Sequence, residues 1–512
     1  MLQKLPITRY QLLLILIVII AAFFRLYNIT QTPPGLYPDE AMNGNNLLEA
    51  IKTGDFKVFY PENNGREGLF MNIQALSVLR FGNEPWALRI PSALFGILTV
   101  LGLYFLTKEL FRKAASANPS RIPPSIAIAL LSSFFLAASF WHLNFSRIGF
   151  RAIMAPFFAI WALYSLLRAL RKAENSNSFW GDAILSGAAW GLGFYSYIAF
   201  RIMPALVLIP IAFAWMNATD GKTRKRIALA TGSMVMTAII LFAPLGLYFL
   251  ENPQDFMGRT SQVSVFSSPT AAKDLSLNIA KTVGMFFVIG DYNWRHNFAG
   301  KPGLSSPVAF LFAIGILISL KSFIRDSALA AKDSFLILFG WLFLAALPVI
   351  ISNEGLPHAL RAILMLPPAL ILAGYGGIWF YQKIRDAARQ WPDFPMQKIF
   401  GTICLVTLIA IPAETYINYF ARWAKNPEVQ GAFAADYLKI GRELNSLPRE
   451  TPKYVIVGAG GTDVRGLPMP TQTTMFITDT FLPEDQKKKN IFYILAKDQD
   501  KIPAGAYTAI IR

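Results

Sequence analysis

Two adjacent carboxylates stand in Pro33-Pro34-Gly35-Leu36-Tyr37-Pro38-Asp39-Glu40, about a dozen residues beyond an apolar run at residues 10–27. Arg66, in Asn64-Gly65-Arg66-Glu67-Gly68-Leu69-Phe70, closes the same polar interval. Acids so placed have two uses. Asp is a good helix N-cap and Glu suits a first helical turn; beside a bound phosphate ester, a carboxylate is also a natural general base and arginines are natural anion holders. Asp39 and Glu40 are therefore candidate acid–base groups, and Arg66, Arg147 and Arg151 candidate phosphate ligands. For Arg147 and Arg151, in Asn144-Phe145-Ser146-Arg147-Ile148-Gly149-Phe150-Arg151, the ordinary alternative is snorkelling at a helix end.

Asp291, Tyr292, Asn293, Trp294, Arg295 and His296 form a run dense in hydrogen-bonding and aromatic groups just before another apolar segment. Such a run suits a sugar or a lipid headgroup, and equally an interfacial aromatic belt. His358 and Arg361 are three apart at a helix start and share a face, as a structural pair or a binding pair. With 3 histidines in the chain and no ligand spacing among His, Cys and carboxylates, a protein-only zinc site is not expected. A divalent cation held by Asp39, Glu40 and a substrate phosphate is the remaining metal option.

The elements that must carry these groups are membrane helices. With 54% hydrophobic and 15% charged residues, the chain reads as polytopic. Its net charge of +17 gathers in short patches between apolar segments, which reads as a topology signal rather than as nucleic-acid binding. Cys404 is the sole cysteine, so no intrachain disulfide forms. A hydrocarbon core of about 30 Å needs roughly 20 apolar residues per helix. Segments of that kind lie near 10–27, 87–107, 123–141, 152–170, 181–198, 202–216, 227–249, 304–320, 334–351, 362–381 and 399–418, eleven in all. Lys4 and Arg9 before the first resemble the start of a signal peptide, but the run is long, lacks a small-residue cleavage pattern and ends in Phe23-Phe24-Arg25-Leu26-Tyr27, so a retained helix is expected.

Lys108, Arg112, Lys113 and Arg121 share one connection; Arg168, Arg171 and Lys172 occupy the next but one, and the later basic loops continue the alternation. By the positive-inside rule these loops and the N-terminus are cytoplasmic, and the plasma (inner) membrane is the expected location. The long polar intervals, 28–86 and 250–303, and the tail then face outward. Within the first, residues 40–51 and 69–81 read as amphipathic helices along the membrane.

Residues 1–420 are thus expected as the membrane domain, and 421–512 as a small α/β domain. In the tail, 428–446 reads as an amphipathic helix and 454–457, 474–477, 491–495 and 507–511 as short strands. Gly458-Ala459-Gly460-Gly461-Thr462-Asp463 lacks the third glycine of a dinucleotide fingerprint, and reads as a plain strand-to-loop turn.

Together, Tyr37-Pro38-Asp39-Glu40, Asn64-Gly65-Arg66-Glu67, the run Trp86 to Gly96, Phe145 to Arg151 and Pro357-His358-Ala359-Leu360-Arg361 resemble glycosyltransferase family 39, the protein mannosyltransferase and aminoarabinose transferase type of the GT-C fold. The likeness covers most of residues 10–420 and not the tail. It implies a mainly α polytopic transferase that moves one sugar from a polyprenyl-phosphate carrier to a lipid, glycan or protein acceptor at the outer face. It further implies that Asp39 is the acid of the first outer loop and that Arg66 stands where many relatives have Lys. One departure is visible: no acid lies between Trp141 and Ala173, so Asp39 acts alone or Glu40 or Asp291 supplies the second acid. The mechanism implied is an inverting displacement with Asp39 as base. The rival reading is a transporter or flippase of lipid-linked sugars, which would carry internal repeats and mid-membrane ionisable groups. No convincing repeat is found.

Overall fold

A computed structural model describes residues 8–113, 122–256, 265–267, 270–325, 329–352, 355–390 and 395–512. Lys4 and Arg121, used above for orientation, lie outside the described residues. Among those described, 9 helices are long and apolar enough to span a membrane. They coincide with nine of the eleven expected segments. The other two, 123–141 and 181–198, form α-helices of only 14 residues, Pro124–Ala137 and Trp180–Gly193. At 1.5 Å per residue each covers about 21 Å. The first breaks at Ala138, where Ser139 caps a new short helix, Phe140–Phe145.

The first polar interval is ordered throughout. Helix α1 (Arg9–Leu26) ends at Tyr27, and α2 (Pro38–Thr53) begins after an extended Tyr37, with Pro38 in its first turn. Proline is pre-set for that position, and Asp39 and Glu40 meet the positive end of the helix dipole. Gly54, at φ 76°, closes α2 with a left-handed cap. A two-stranded ribbon follows, β1 (Phe59–Tyr60) pairing antiparallel with β2 (Arg66–Glu67). Its turn carries Asn63, Asn64 and Gly65 at φ 53°, 64° and 78°. Helices α3 (Leu69–Phe81) and α4 (Pro85–Leu110) then return the chain to the bundle.

Contrary to the expectation of a helix lying on the membrane, α2 is buried on nearly every side from Glu40 to Leu48. The cause is the tail, which packs over it. Leu438, Phe476 and Ile477 of the tail share one apolar cluster with Leu36, Ala41, Leu47 and Leu48. Gly44 is required there, since a Cβ at this position would lie 2.4 Å from the Phe476 ring.

The tail is an α/β unit as expected. Its parallel sheet has the order β6-β3-β7, from β3 (Lys453–Val457), β6 (Ile491–Leu495) and β7 (Tyr507–Ile511). The short hairpin of β4 (Asp463–Val464) and β5 (Leu467–Pro468) lies beside it. Two expectations need correcting. Residues 474–477 are not a strand but part of the helix Thr471–Thr478, packed onto α2, a case of tertiary contact overriding the strand preference of Thr, Phe and Ile. The helix at 428–446 is broken in two, Pro427–Ala432 and Ala435–Ser446, because Phe433 turns inward and Ala434 takes φ 49°.

Candidate functional site

A cavity of about 740 Å³ opens at the end of the bundle where α2 and the ribbon lie. Asp39 and Arg66 reach it from the first interval, Arg151 from the loop before Met154–Glu174, and Asp291, Tyr292, Asn293, Arg295 and His296 from the loop before Ser306–Arg325. His358 and Arg361 complete the ring. Sequence positions more than 300 apart thus converge on one space. Three expected residues do not line it: Glu40, Arg147 and Trp294.

Asp39 sits in the first turn of α2, half-buried, where Asn63 Nδ2 donates to its Oδ1 at 2.9 Å. Tyr37 lies beside it, with the Arg295 guanidinium 4.0 Å above the phenol ring. Burial first, then the neighbouring Asp39 charge, raises the Tyr37 phenol above its ordinary value. Tyr37 therefore serves as a neutral hydroxyl.

Arg66 is held from three directions. Its Nη1 donates to Asn43 Oδ1 at 2.7 Å, its Nη2 to Asn46 Oδ1 at 2.5 Å and its Nε to the Glu62 carbonyl at 3.3 Å. A guanidinium has five N–H donors, so two remain for a ligand. Burial, and then the charge of Arg151, lower its pKa to about 10, which leaves it cationic at neutral pH. Arg151 donates to Glu67 Oε2 at 2.7 Å, and Arg201 approaches the other Glu67 oxygen at 3.4 Å.

Asp291 joins two loops. Its Oδ1 accepts from the Asn293 amide at 2.7 Å, while Oδ2 accepts from the Ala359 amide at 2.8 Å and meets His296 Nδ1 at 3.0 Å. Burial pushes its carboxyl upward, but His296 and the two amides outweigh it and hold the carboxyl below the ordinary carboxylate range. The His296 and His358 rings lie 4.9 Å apart, and the Arg361 amide donates to His358 Nδ1 at 3.4 Å. Arg361 itself donates to Ser352 Oγ.

The metal expectation changes accordingly. Glu40 cannot join Asp39 on a cation, because its Oε1 accepts from Arg89 Nε at 2.9 Å and the Gly149 amide at 2.7 Å, and its Oε2 from Arg89 Nη2 at 3.1 Å. Among the described residues, the group whose donor atoms do converge, all within 4.8 Å, is Asp291, His296 and His358, the kind of donor set a divalent transition ion takes. Sequence spacing hid it, since His358 arrives from a separate loop.

Glu40 and Arg147 make their contacts away from the cavity. Glu40 and Arg89 are both buried, and Arg89 also donates to the carbonyls of Pro33 at 2.7 Å and Gly35 at 3.0 Å. Arg147, fully buried, donates to the carbonyls of Phe24 at 2.9 Å and Thr32 at 2.8 Å, with the Phe420 ring 5.1 Å away. It ties the end of α1 to the approach to α2. Trp294 packs on Phe298, and its carbonyl accepts from Trp423 Nε1 at 2.9 Å.

Asn43, Asn46, Asn63 and Glu67, which hold the cavity's charged groups, had no role assigned from the sequence. The Asn63-Asn64-Gly65 turn signature was the available signal, because those types tolerate positive φ. Also unforeseen is the tail's share of the wall: Gly460, Gly461, Thr462, Met469 and Pro470. The turn at 458–463 does run from strand to loop, but it borders the site.

Comparisons with known proteins agree with this architecture. Residues 69–248 match the family model described as dolichyl-phosphate-mannose-protein mannosyltransferase, which agrees with the family 39 resemblance over that stretch. The Bacillus subtilis (strain 168) protein named "Putative mannosyltransferase YkcB" is 27% identical over 248 residues, 46% of this chain and 30% of that protein. The match therefore spans under a third of that relative. The Cupriavidus metallidurans ArnT structure bound to undecaprenyl phosphate superposes with a TM-score of 0.54 at 14% identity, covering 98% of this chain and 92% of ArnT. The oligosaccharyltransferase AglB of Archaeoglobus fulgidus, in complex with an inhibitory peptide and a dolichol-phosphate, gives 0.54 at 14% identity over 87% of this chain and 62% of AglB. The chain has the GT-C fold.

Proposed function

We propose, taking the GT-C fold and the mannosyltransferase-family match as premise, that this membrane protein is a glycosyltransferase. It moves a single sugar from a polyprenyl-phosphate donor to a hydroxyl acceptor at the outer face of the plasma membrane. The observation that carries this reading is the meeting of Asp39 and Arg66 in one polar cavity. Four arginines, Arg66, Arg151, Arg295 and Arg361, line it against two aspartates, Asp39 and Asp291. That excess of positive charge suits a phosphate leaving group, as does the undecaprenyl phosphate in the similarly folded ArnT structure.

In this mechanism Asp39 accepts the proton of the acceptor hydroxyl as its oxygen attacks the anomeric carbon. The bond from that carbon to the phosphate oxygen breaks, and the configuration inverts. The negative charge on the departing polyprenyl phosphate is met by the two spare donors of Arg66 and by Arg151. Asp291, held by His296, is the second acid that the sequence left unassigned; on this reading it orients the sugar, together with Asn293 and His358. The transporter alternative has less support, since the ionisable groups of the cavity lie in loops and helix ends at one end of the bundle rather than at mid-span.

The test is transfer of label from a panel of radiolabelled polyprenyl-phosphate sugars to membrane extract by the purified protein. Replacement Asp39→Asn is expected to lower kcat by on the order of a hundredfold or more, with thermal stability unchanged. Full activity in a folded Asp39→Asn protein would falsify the assignment. Label that crosses the membrane still attached to its lipid would favour the transporter.

A further inference from the structure

Resting on that reading, we propose that residues 458–470 of the tail form the acceptor-side wall of the cavity and that Arg465 is the positioning residue that locks this wall to the reacting groups. The tail's contribution to the lining, Gly460, Gly461, Thr462, Met469 and Pro470, contains no ionisable side chain, whereas the arginines all come from the bundle side. A wall of backbone, one hydroxyl and apolar atoms suits an uncharged, hydroxyl-bearing acceptor, and leaves the phosphate to the opposite face.

Arg465 forms the tip of the β4–β5 hairpin, with φ 54°, followed by Gly466 at φ 87°. Two successive positive φ values are the two-residue turn that favours Asn-Gly, so a long side chain at the first position is costly and calls for a reason. The reason is its reach. Its guanidinium donates to both oxygens of Glu49, at 3.1 and 2.8 Å, and to Glu62 Oε1 at 3.2 and 2.7 Å. The Phe481 ring lies 4.4 Å away.

Glu49 is on α2, which carries Asp39. Glu62 opens the turn from which Asn63 reaches Asp39 at 2.9 Å, and the Glu62 carbonyl accepts from Arg66 Nε at 3.3 Å. Asn46 Nδ2 donates to Glu62 Oε2 at 3.2 Å and links the same turn back to α2. One guanidinium thus fixes the tail wall to both segments that present the proposed base and the proposed phosphate ligand.

The experiment uses the full-length protein and two variants. Arg465→Ala should speed amide hydrogen exchange in residues 62–66 by at least about tenfold and lower kcat by roughly tenfold, as small displacements at a reacting centre do. Arg465→Lys should restore part of both. Gly460→Trp tests the wall: its φ lies outside the left-handed region and a Cβ there meets nothing within 4 Å, so a side chain can start from this position without moving the backbone, and an unchanged melting temperature of the variant checks that the ring is accepted. It should raise the acceptor KM about tenfold and the donor KM less than twofold, a split that places the obstruction on the acceptor side. Unchanged exchange at 62–66 in Arg465→Ala overturns the lock, and an unchanged acceptor KM in Gly460→Trp overturns the wall. Should the wild-type protein transfer no sugar at all, the glycosyltransferase reading falls, while the exchange measurement still decides the role of Arg465.

Discussion

Asp39 and Glu40 are neighbours in sequence with opposite surroundings. A helix turns by about 100° per residue, so the two side chains leave α2 on different faces. Asp39 meets the cavity and Asn63, whereas Glu40 meets Arg89 and the Gly149 amide in a seam sealed from solvent. Removing one member of a buried ion pair strands the other, at a cost of about 3–5 kcal/mol. Glu40→Ala is accordingly expected to lower thermal stability sharply, while Asp39→Asn lowers activity and leaves stability nearly intact. A Glu40→Ala protein as stable as wild type would show that Arg89 is not dependent on it. The sequence marked both acids and could not divide their roles, because the decisive partner lies 49 positions away. Arg147 and Arg151 divide in the same manner: four residues apart, one binds backbone carbonyls in the core and the other lines the cavity.

The ribbon between α2 and α3 shows what short elements add. Its two strands hold only two residues each, yet β2 sends Arg66 into the cavity and Glu67 to Arg151 and Arg201. Burial would push the Glu67 carboxyl up, but those two arginines win and hold it below its ordinary value of 4.5. A carboxyl whose pKa is depressed by folding contributes stability above its unfolded value and loses it as pH falls through the folded one. Melting temperatures of wild type and Glu67→Gln should therefore differ by a constant amount from neutral pH down to about 5, and converge below 4.5. Curves that stay parallel to pH 3 would mean that the carboxylate charge is not what holds the ribbon. Turn chemistry around Asn63 to Gly65 was visible in the sequence, but the pairing of β1 with β2 was not, since two-residue strands leave no alternation to read. The helix at Thr471–Thr478 escaped for the converse reason: its residue types favour a strand, and only packing against α2 overrides them.

The whole molecule was legible where hydrophobic length alone decides: nine of the eleven apolar segments coincide with membrane-length helices, and the other two with helices of 14 residues. What length could not reveal is that the tail is part of the same core. Trp423, Val429 and Phe433 belong to the main apolar cluster of the bundle, and Leu438, Phe476 and Ile477 to the cluster that covers α2. Polar contacts run beside them: Asn45 Nδ2 donates to Gln472 Oε1 at 2.8 Å, and Lys52 bridges Asp479 and Asp485 at 2.7 and 2.6 Å. Full burial of one large apolar side chain contributes about 1.5–3 kcal/mol, so six of them rival the about 5–15 kcal/mol that holds a typical protein folded. Deleting residues 421–512 should therefore remove more than an appendage. It uncovers the buried face of α2, leaves Asn45 and the Leu47–Leu48 pair facing water, and frees the segment that presents Asp39. The truncated chain is expected to give no monodisperse protein by size-exclusion chromatography in detergent, or one whose melting temperature falls well below wild type. A truncated protein that elutes as a single species with the wild-type melting temperature would show instead that bundle and tail fold independently, and that the cavity owes its shape to the bundle alone.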